Sequence, residues 1–374
     1  MKKTFKMIGI FIALVLGLLV ITIALFLNIS PQFGKSPTNE QKIEYAKSGH
    51  YKEGKFTNQT PTVMDINFWK MIKKLVQASP NRKPRQDIIV EKLNPTVFEN
   101  SDMQTSRLTW FGHSTFLLEL DGKKILIDPM FSETPAPLPI LGPKRFSAEL
   151  PIEIEELPKI DAIILSHDHY DHLDYKSIQK LKSKVDRYYM PLGVANHLVE
   201  WGIEKEKIHE LNWWDSIDFD GIELVCSPAQ HFSGRGLFDR STTLWCSWVI
   251  TGKADNIYFS GDSGYGKHFK EIGDKYGPFD ISLMECGQYN EEWKVIHMMP
   301  EETVQAAVDL KSKLVLPIHW GAFILAFHDW TDPIKRVTKK AKELNMPLTT
   351  PKIGQSVILG SEDFPTERWW EAYN

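Results

Sequence analysis

Directly after the apolar run Ala162–Leu165 the chain reads SHDHYDHLD, which sets His167, His169, Asp171 and His172, three imidazoles and a carboxylate, within six consecutive positions. The apolar run has the continuity of a strand covered on both faces. Side chains alternate along a strand, so His167 and His169 share a face, and a sharp turn behind them redirects Asp171 and His172 toward a neighbouring centre. Neutral imidazole and carboxylate are donors for borderline cations such as zinc, and an ordinary core has no reason to concentrate them. Any fold this chain adopts must leave one strand end open onto a polar centre with ligands for two nearby metals.

Further donors close other apolar stretches: His231 follows LVCSPAQ, Asp262 follows IYFSG, and His319 follows KLVLPI. Alone, each reads as a surface or satisfied polar group; their recurrence fits strand ends that deliver ligands to loops on one rim. Cys226, Cys246 and Cys286 are 20 and 40 positions apart and form neither a zinc knuckle nor a disulfide scaffold. They read as packing thiols without a nucleophile dyad. Gly261–Gly266 lacks a phosphate-loop lysine, so its glycines fit a tight turn at a metal site better than a nucleotide cradle.

The hydrophobic pattern beyond position 105 is that of short buried strands alternating with helices. It predicts strands at Phe116–Leu120, Lys124–Asp128, Ala162–Ser166, Ile222–Cys226, Leu244–Ile250, Ile257–Ser260, Ile281–Glu285 and Leu314–Pro317. A helix is expected over 301–311, with Val304, Ala307 and Val308 on one face, and another from Asp332-Pro333, with Ile334, Val337, Ala341 and Leu344 buried. These elements make a layered α/β domain with a mixed sheet. The proline-rich stretch Thr134–Pro143 reads as a surface or rim loop.

The strings SHDHYDHLD, SPAQHFSGR, FSGDSGY and PIHWGAF resemble the metallo-β-lactamase superfamily with its HxHxDH motif, and within it the branch of N-acylphosphatidylethanolamine-hydrolysing phospholipase D and related bacterial hydrolases. The resemblance runs from roughly Thr109 to Trp330. It implies an α/β fold, the αβ/βα sandwich, with a dinuclear site at one edge and two zinc ions per chain. By that resemblance His167, His169 and His231 bind the first zinc, Asp171, His172 and His319 the second, and Asp262 bridges them. Iron or manganese can replace zinc in such a nitrogen and oxygen site.

Ahead of this domain, Lys2, Lys3 and Lys6 precede the uncharged run Ile8–Leu27, long enough at about 1.5 Å per residue to span a bilayer core. A cleaved secretory signal and a retained anchor both fit; the length of the run and the lack of a small-x-small exit favour the anchor. The lysines then stay cytoplasmic, which gives a single-pass protein of the cytoplasmic membrane with its catalytic domain outside. The expected organisation is an anchor or signal over 1–30, a tether and wrapping extension over 31–104, and the hydrolase domain over 105–374. Within the extension, FWKMIKKL at Phe68–Leu75 can form a short amphipathic helix that packs on the main domain or touches a membrane.

Two metals lower the pKa of bound water and neutralise charge on the attacked group, so metal-bound hydroxide can attack at phosphorus. Asp171 and Asp262 are expected to orient that oxygen, and His297, in VIHMMPEE, to protonate the leaving alcohol or to act through a hydrogen bond. Arg235, His328 and Trp320 are candidate substrate contacts, Arg235 for a phosphate fork, with a salt bridge to Asp239 as the ordinary alternative. His113 is expected to brace the core near the site. The expected activity is that of a metal-dependent phosphodiesterase on membrane lipid or a small phosphodiester. A lactone or amide hydrolase using the same site is the alternative, and metal-dependent sensing the non-enzymatic one. With 48 acidic against 44 basic side chains and a formal charge of −4, the chain has no nucleic-acid footprint. A homodimer is consistent with the resemblance.

Overall fold

The computed structural model describes residues 2–62, 67–98 and 105–374. The expected boundary at 104/105 falls at the edge of 99–104, outside the described residues. Helix α1 (Lys2–Ile29) takes in the whole apolar run. It is long and apolar enough to cross a membrane, a property a signal sequence shares, and its apolar window lies outside the folded core. Next come α2 (Asn39–Tyr45), the hairpin β1 (Tyr51–Lys52) and β2 (Lys55–Phe56), and α3 (Phe68–Val76). Tyr45, Tyr51 and Phe56 are buried in the cluster that also holds the inner faces of the sheets described below. Asn58 goes further and brackets His231: its Oδ1 accepts from His231 N at 3.0 Å and its Nδ2 donates to His231 O at 2.8 Å.

Strands β3 (Arg107–Trp110), β4 (Phe116–Leu120) and β5 (Lys123–Ile127) form an antiparallel meander. Then β6 (Ile160–Ile164), β7 (Val185–Pro191) and β8 (Ile208–Leu211) add in parallel, with α4 (Tyr175–Leu181) and α5 (Ala195–Glu200) in the crossovers. The pattern then repeats. Strands β9 (Ser216–Phe219), β10 (Ile222–Ser227), β11 (Ser247–Thr251) and β12 (Asn256–Phe259) are antiparallel, and β13 (Ile281–Glu285) and β14 (Val315–Ile318) extend them in parallel through α6 (His268–Tyr276) and α7 (Pro300–Asp309). After α8 (Asp332–Glu343), β15 (Ser356–Ile358) returns beside β3.

Alternation along the strands makes the layers. Leu118, Ile125 and Ile164 of the first sheet share one buried cluster with Leu224, Ile250 and Leu283 of the second. Their neighbours Leu117, Leu126 and Ile163 pack outward under Ile178, Leu181 and Leu198, and Val225, Val249 and Tyr258 pack outward under Phe269, Ile272 and Ala307. Helix, sheet, sheet, helix is the expected sandwich.

The differences from the sequence reading are local. The strand expected from Leu244 starts at Ser247, because Leu244 N and Cys246 N bond to Leu192 O and Ser166 O of the first half instead. On α7, Val308 is 39% exposed, and Thr303 and Ala306 join Val304 and Ala307 inside. Thr331 occupies the N-cap position of α8 without a side-chain capping bond, Asp332 is the first helical residue, and Leu344, expected on the buried stripe, lies just past the helix end and is exposed. The helix at Phe68 forms, yet Trp69, Leu75 and Val76 are exposed, and it leans on the domain through Met71 and a Lys74–Glu292 ion pair at 3.2 Å. All three cysteines are free and buried, as expected of packing thiols.

Candidate metal centre

The donors gather at one edge, where strands end: His113 behind β3, Asp128 behind β5, the 167–172 loop behind β6, His231 behind β10, Asp262 behind β12, Glu285 closing β13, and His319 behind β14. Loops at the C-terminal ends of strands are where layered α/β proteins place their sites. Four non-glycine residues here hold left-handed backbone, His113, Asp128, Gln288 and His319, at φ of 53°, 40°, 60° and 63°. Such conformations cost roughly 1–3 kcal/mol each and persist where surrounding contacts over-determine them.

Among the described residues, three groups have ligand atoms within 4.8 Å of one another: His167, His169, His231 and Asp262; His113, Asp171, His172 and His319; and Asp262, Glu285, His297 and His319. The first two are consistent with a dinuclear metal site. Asp262 faces both, with Oδ1 3.2 Å from His172 Nε2 and from His319 Nδ1, and Oδ2 3.8 and 3.7 Å from the Nε2 atoms of His167 and His231.

Hydrogen bonds on the far side of each ring decide which nitrogen faces inward. His172 Nδ1 bonds to Asp128 Oδ2 at 2.7 Å, His167 Nδ1 lies 2.9 Å from Ser166 Oγ, and Ser166 Oγ donates to the same Asp128 Oδ2 at 2.5 Å. His231 Nδ1 donates to Ile296 O at 3.0 Å. Each of these rings therefore presents Nε2. His113 Nε2 holds Asp171 Oδ2 at 2.9 Å, the bracing role expected of it. His172 Nε2 and Asp262 Oδ1 are buried without a hydrogen-bond partner, and the Nε2 atoms of His167 and His231 approach His169 Nδ1 at 2.9 and 3.2 Å. A proton on His169 Nδ1 can bridge only one of these two approaches, whereas a cation placed among the three rings would satisfy all of them, so the residues present fit metal ions.

Electrostatics agree with that fit. Burial, reinforced by neighbouring imidazoles, pushes His167 well below the ordinary histidine range, and burial does the same to His231 and His319, which keeps them as neutral ligands. Burial opposes ionisation of Asp262, but His172, itself raised by Asp262 and Asp171 against its own burial, holds that carboxyl well below the usual range. Burial raises Glu285 to about 7 against the pull of His297. For His297 burial works against the charged form, but Glu285 and Asp262 raise it net. Its Nδ1 lies 3.3 Å from Glu285 Oε2, and its ring stacks on His319 at 5.3 Å.

A cavity of about 280 Å³ opens over these groups, lined by His169, Asp171, His231, Asp262, His297 and His319 together with Phe232, Arg240, Gln288, Trp293, Ile296 and Leu325. Three expected substrate contacts do not line it. Arg235 is buried, and its guanidinium donates to the backbone carbonyls of Gln32, Asp168 and Leu173 between the rings of Tyr170 and Trp201. The arginine in the lining is Arg240, 3.6 Å over the Phe232 ring. His328 stacks on Tyr289 at 4.2 Å and bonds to Asp329 O. Trp320 donates to Pro317 O inside a tryptophan cluster with Trp110, Trp330 and Trp369. In each case carbonyls or aromatic partners in the core hold the side chain, although Arg235 Nη2 and His328 Nε2 stay buried without a hydrogen-bond partner. Sequence reasoning passed over Asp128 and Glu285, whose only signal is a carboxylate closing an apolar run.

The "Beta-lactamase superfamily domain" family model matches residues 123–320. An uncharacterized protein of Mycobacterium tuberculosis is 40% identical over 319 residues, covering 83% of this chain and 84% of that one. The N-acyl-phosphatidylethanolamine-hydrolyzing phospholipase D 1 of Caenorhabditis elegans is 36% identical over 309 residues, covering 78% and 84%. Among solved structures, Igni18, a metallo hydrolase of the archaeon Ignicoccus hospitalis, superposes with a TM-score of 0.53 at 21% identity over 69% of this chain and 100% of that one, a likeness of fold. Layer order, donor grouping and sequence kinship converge, and the chain belongs to the metallo-β-lactamase superfamily as a metal-dependent hydrolase.

Proposed function

We propose that this chain is a dizinc phosphodiesterase that cleaves N-acylated or related glycerophospholipids, releasing a phosphatidic acid and an alcohol-bearing fragment. The observation that carries the reading is the lining of the cavity: the histidine and aspartate donors share it with the apolar Phe232, Trp293, Ile296 and Leu325, and Arg240 contributes a cation. Apolar walls suit lipid chains and a guanidinium suits a phosphate, and kinship with a phospholipase supports the same chemistry.

Two bound ions would supply Lewis acidity at a phosphoryl oxygen and a lowered pKa for the attacking water. Asp171, fixed at Oδ2 by His113, and Asp262, facing both donor groups, orient that water toward phosphorus. His297 is positioned by Glu285 through Nδ1, which leaves Nε2 to protonate the departing alcohol as its bond to phosphorus breaks. Arg240 holds the phosphate. The anchor reading of α1 puts this pocket on the outer side of the cytoplasmic membrane, next to its lipids.

Full-length protein supplied with zinc should release phosphatidic acid from vesicles of N-acylated phosphatidylethanolamine, and more slowly from unmodified phospholipid. Turnover of lactones with none of phosphodiesters would refute the assignment. Metal analysis of the protein as isolated decides between zinc and iron or manganese.

A further inference from the structure

No free linker separates α1 from the sheets. Pro31 O accepts from Trp201 Nε1 at 2.6 Å, Gln32 O accepts from Arg235 Nε at 2.8 Å, and Lys35 N donates to His197 Nδ1 at 3.0 Å. Gly34, at φ +65°, belongs here because a Cβ would stand 2.0 Å from His197 Nδ1. Two of these contacts lead to one residue of the metal-ligand loop: Arg235 Nη1 donates to Asp168 O at 2.5 Å, and His197 Nε2 lies 3.2 Å from Asp168 Oδ2. Rings continue the connection, with Phe26 in the last turn of α1 5.3 Å from Phe33, and Phe33 6.5 Å from Tyr170. The apolar helix thus leaves the domain beside the loop that carries His167 to His172.

Two other loops meet the chain at this exit, and both expose large apolar side chains. Gln32 Nε2 donates to Pro137 O at 2.7 Å, which ties the tether to the loop where Ile140 is 90% exposed. Just after Arg235, a turn closed by Gly236 N on the Asp239 carboxylate leaves Leu237 69% and Phe238 92% exposed at its tip. The same turn runs on to Arg240 in the cavity lining. Single exposed apolar residues are ordinary on a protein surface. These sit on two loops bonded to the exit of a 20-residue apolar run, and one of the loops continues to Arg240 in the cavity lining.

We infer that Ile140, Leu237 and Phe238 form an interfacial collar that inserts into the headgroup and acyl boundary of the leaflet from which α1 emerges, seating the mouth of the metal cavity on the bilayer. Continuity with α1 selects lipid as the occupant: the clamp at Pro31–Lys35 leaves no slack, so a membrane that holds the helix also meets the loops bonded to its exit. Arg235 acquires a role here. It joins the tether to the loop that carries His167 to His172. The inference rests on reading α1 as a retained anchor, and it adds a route by which substrate enters from the leaflet rather than from water.

The test uses full-length protein in phosphatidylcholine vesicles. An environment-sensitive fluorophore is attached at Ile140→Cys or Phe238→Cys, at Leu18→Cys inside α1, or at Lys253→Cys in the turn between β11 and β12 at the opposite end of the strands. The native cysteines are buried and should stay unlabelled. Positions 140 and 238 should show blue-shifted emission and several-fold stronger quenching by nitroxide-bearing lipids than position 253. If 18 is quenched while 140 and 238 behave like 253, the collar is wrong and the anchor stands. If 18 also reports water, anchor and collar fall together. The fluorescence needs no turnover, so failure of the phosphodiesterase reading does not affect this result.

Discussion

The two sheets reach the same centre by different means. The first sheet delivers four donors from one loop, His167 to His172, and fixes the loop from within through Asp128, which accepts from Ser166 N and Ser166 Oγ and holds His172. The second sheet delivers His231, Asp262, Glu285 and His319 from separate strand ends. Their alignment depends on register, Phe259 opposite Leu283 and Glu285 opposite Ile318. One half is organised by short-range backbone geometry and the other by the packing of a whole sheet. A metal pair held between them would join elements distant in sequence, and Asp262 is a carboxylate that faces both donor groups.

The largest effect should follow from cutting that link. Asp262→Asn should lower phosphodiester turnover by roughly 10³-fold or more, the scale on which removing a principal electrostatic group acts at a reacting centre. Circular dichroism should be unchanged and metal content reduced. A loss under about tenfold would mean that one half works without the other.

Next come the two carboxylates that orient histidines of the site, one from each half. Asp128→Asn and Glu285→Gln should each cost about 10–100-fold in metal affinity or activity, the usual scale for groups behind metal ligands. They should divide differently. Asp128 supports both His172 and, through Ser166, His167, so its loss should weaken metal binding in a chelator competition. Glu285 supports His297, so its loss should lower kcat and move the pH profile with little change in metal affinity. Identical behaviour of the two variants would remove the distinction between the halves.

The same contrast explains what the sequence disclosed. Donors packed into SHDHYDHLD are legible because one loop carries them, and His231, Asp262 and His319 are legible because each closes an apolar run. Ile281–Glu285 was readable to its ends, since a strand buried on both faces is continuously hydrophobic. Strands β7 and β9 were not, because Asp186 and Arg187 interrupt one and the other alternates with polar residues near an edge. Strand order was also out of reach, since register comes from side chains far apart in sequence. Arg235 shows the limit of reasoning by nearness. It lies four residues after His231, yet its guanidinium turns to the tether, and Arg240 takes the cavity.

That pair gives a smaller test. Arg240→Ala should reduce kcat/KM for phosphodiesters by about tenfold, as expected when a charge-assisted bond to phosphate worth about 1.5–3 kcal/mol is partly replaced by water. Arg235→Ala should instead lower Tm, because it strips donors from two buried carbonyls, each costing about 1–3 kcal/mol when left unpaired, and from the half-buried Gln32 O. Reversed outcomes would restore Arg235 as the phosphate ligand.

The smallest effect belongs to His328, which follows the His319 segment in sequence and does not line the cavity. Its ring lies parallel to Tyr289, at an interplanar angle of 10°, and Tyr289 bonds in turn to Asp332 at the start of α8. His328→Phe keeps the flat ring and the stack and loses one hydrogen bond to a neighbouring carbonyl. Stability should fall by no more than about 1 kcal/mol, and kcat/KM should stay within about twofold. The measurement is sharp because histidine chemistry and histidine packing predict opposite results: a tenfold loss of turnover with unchanged Tm would bring His328 into the reacting site and extend the second sheet's contribution beyond β14.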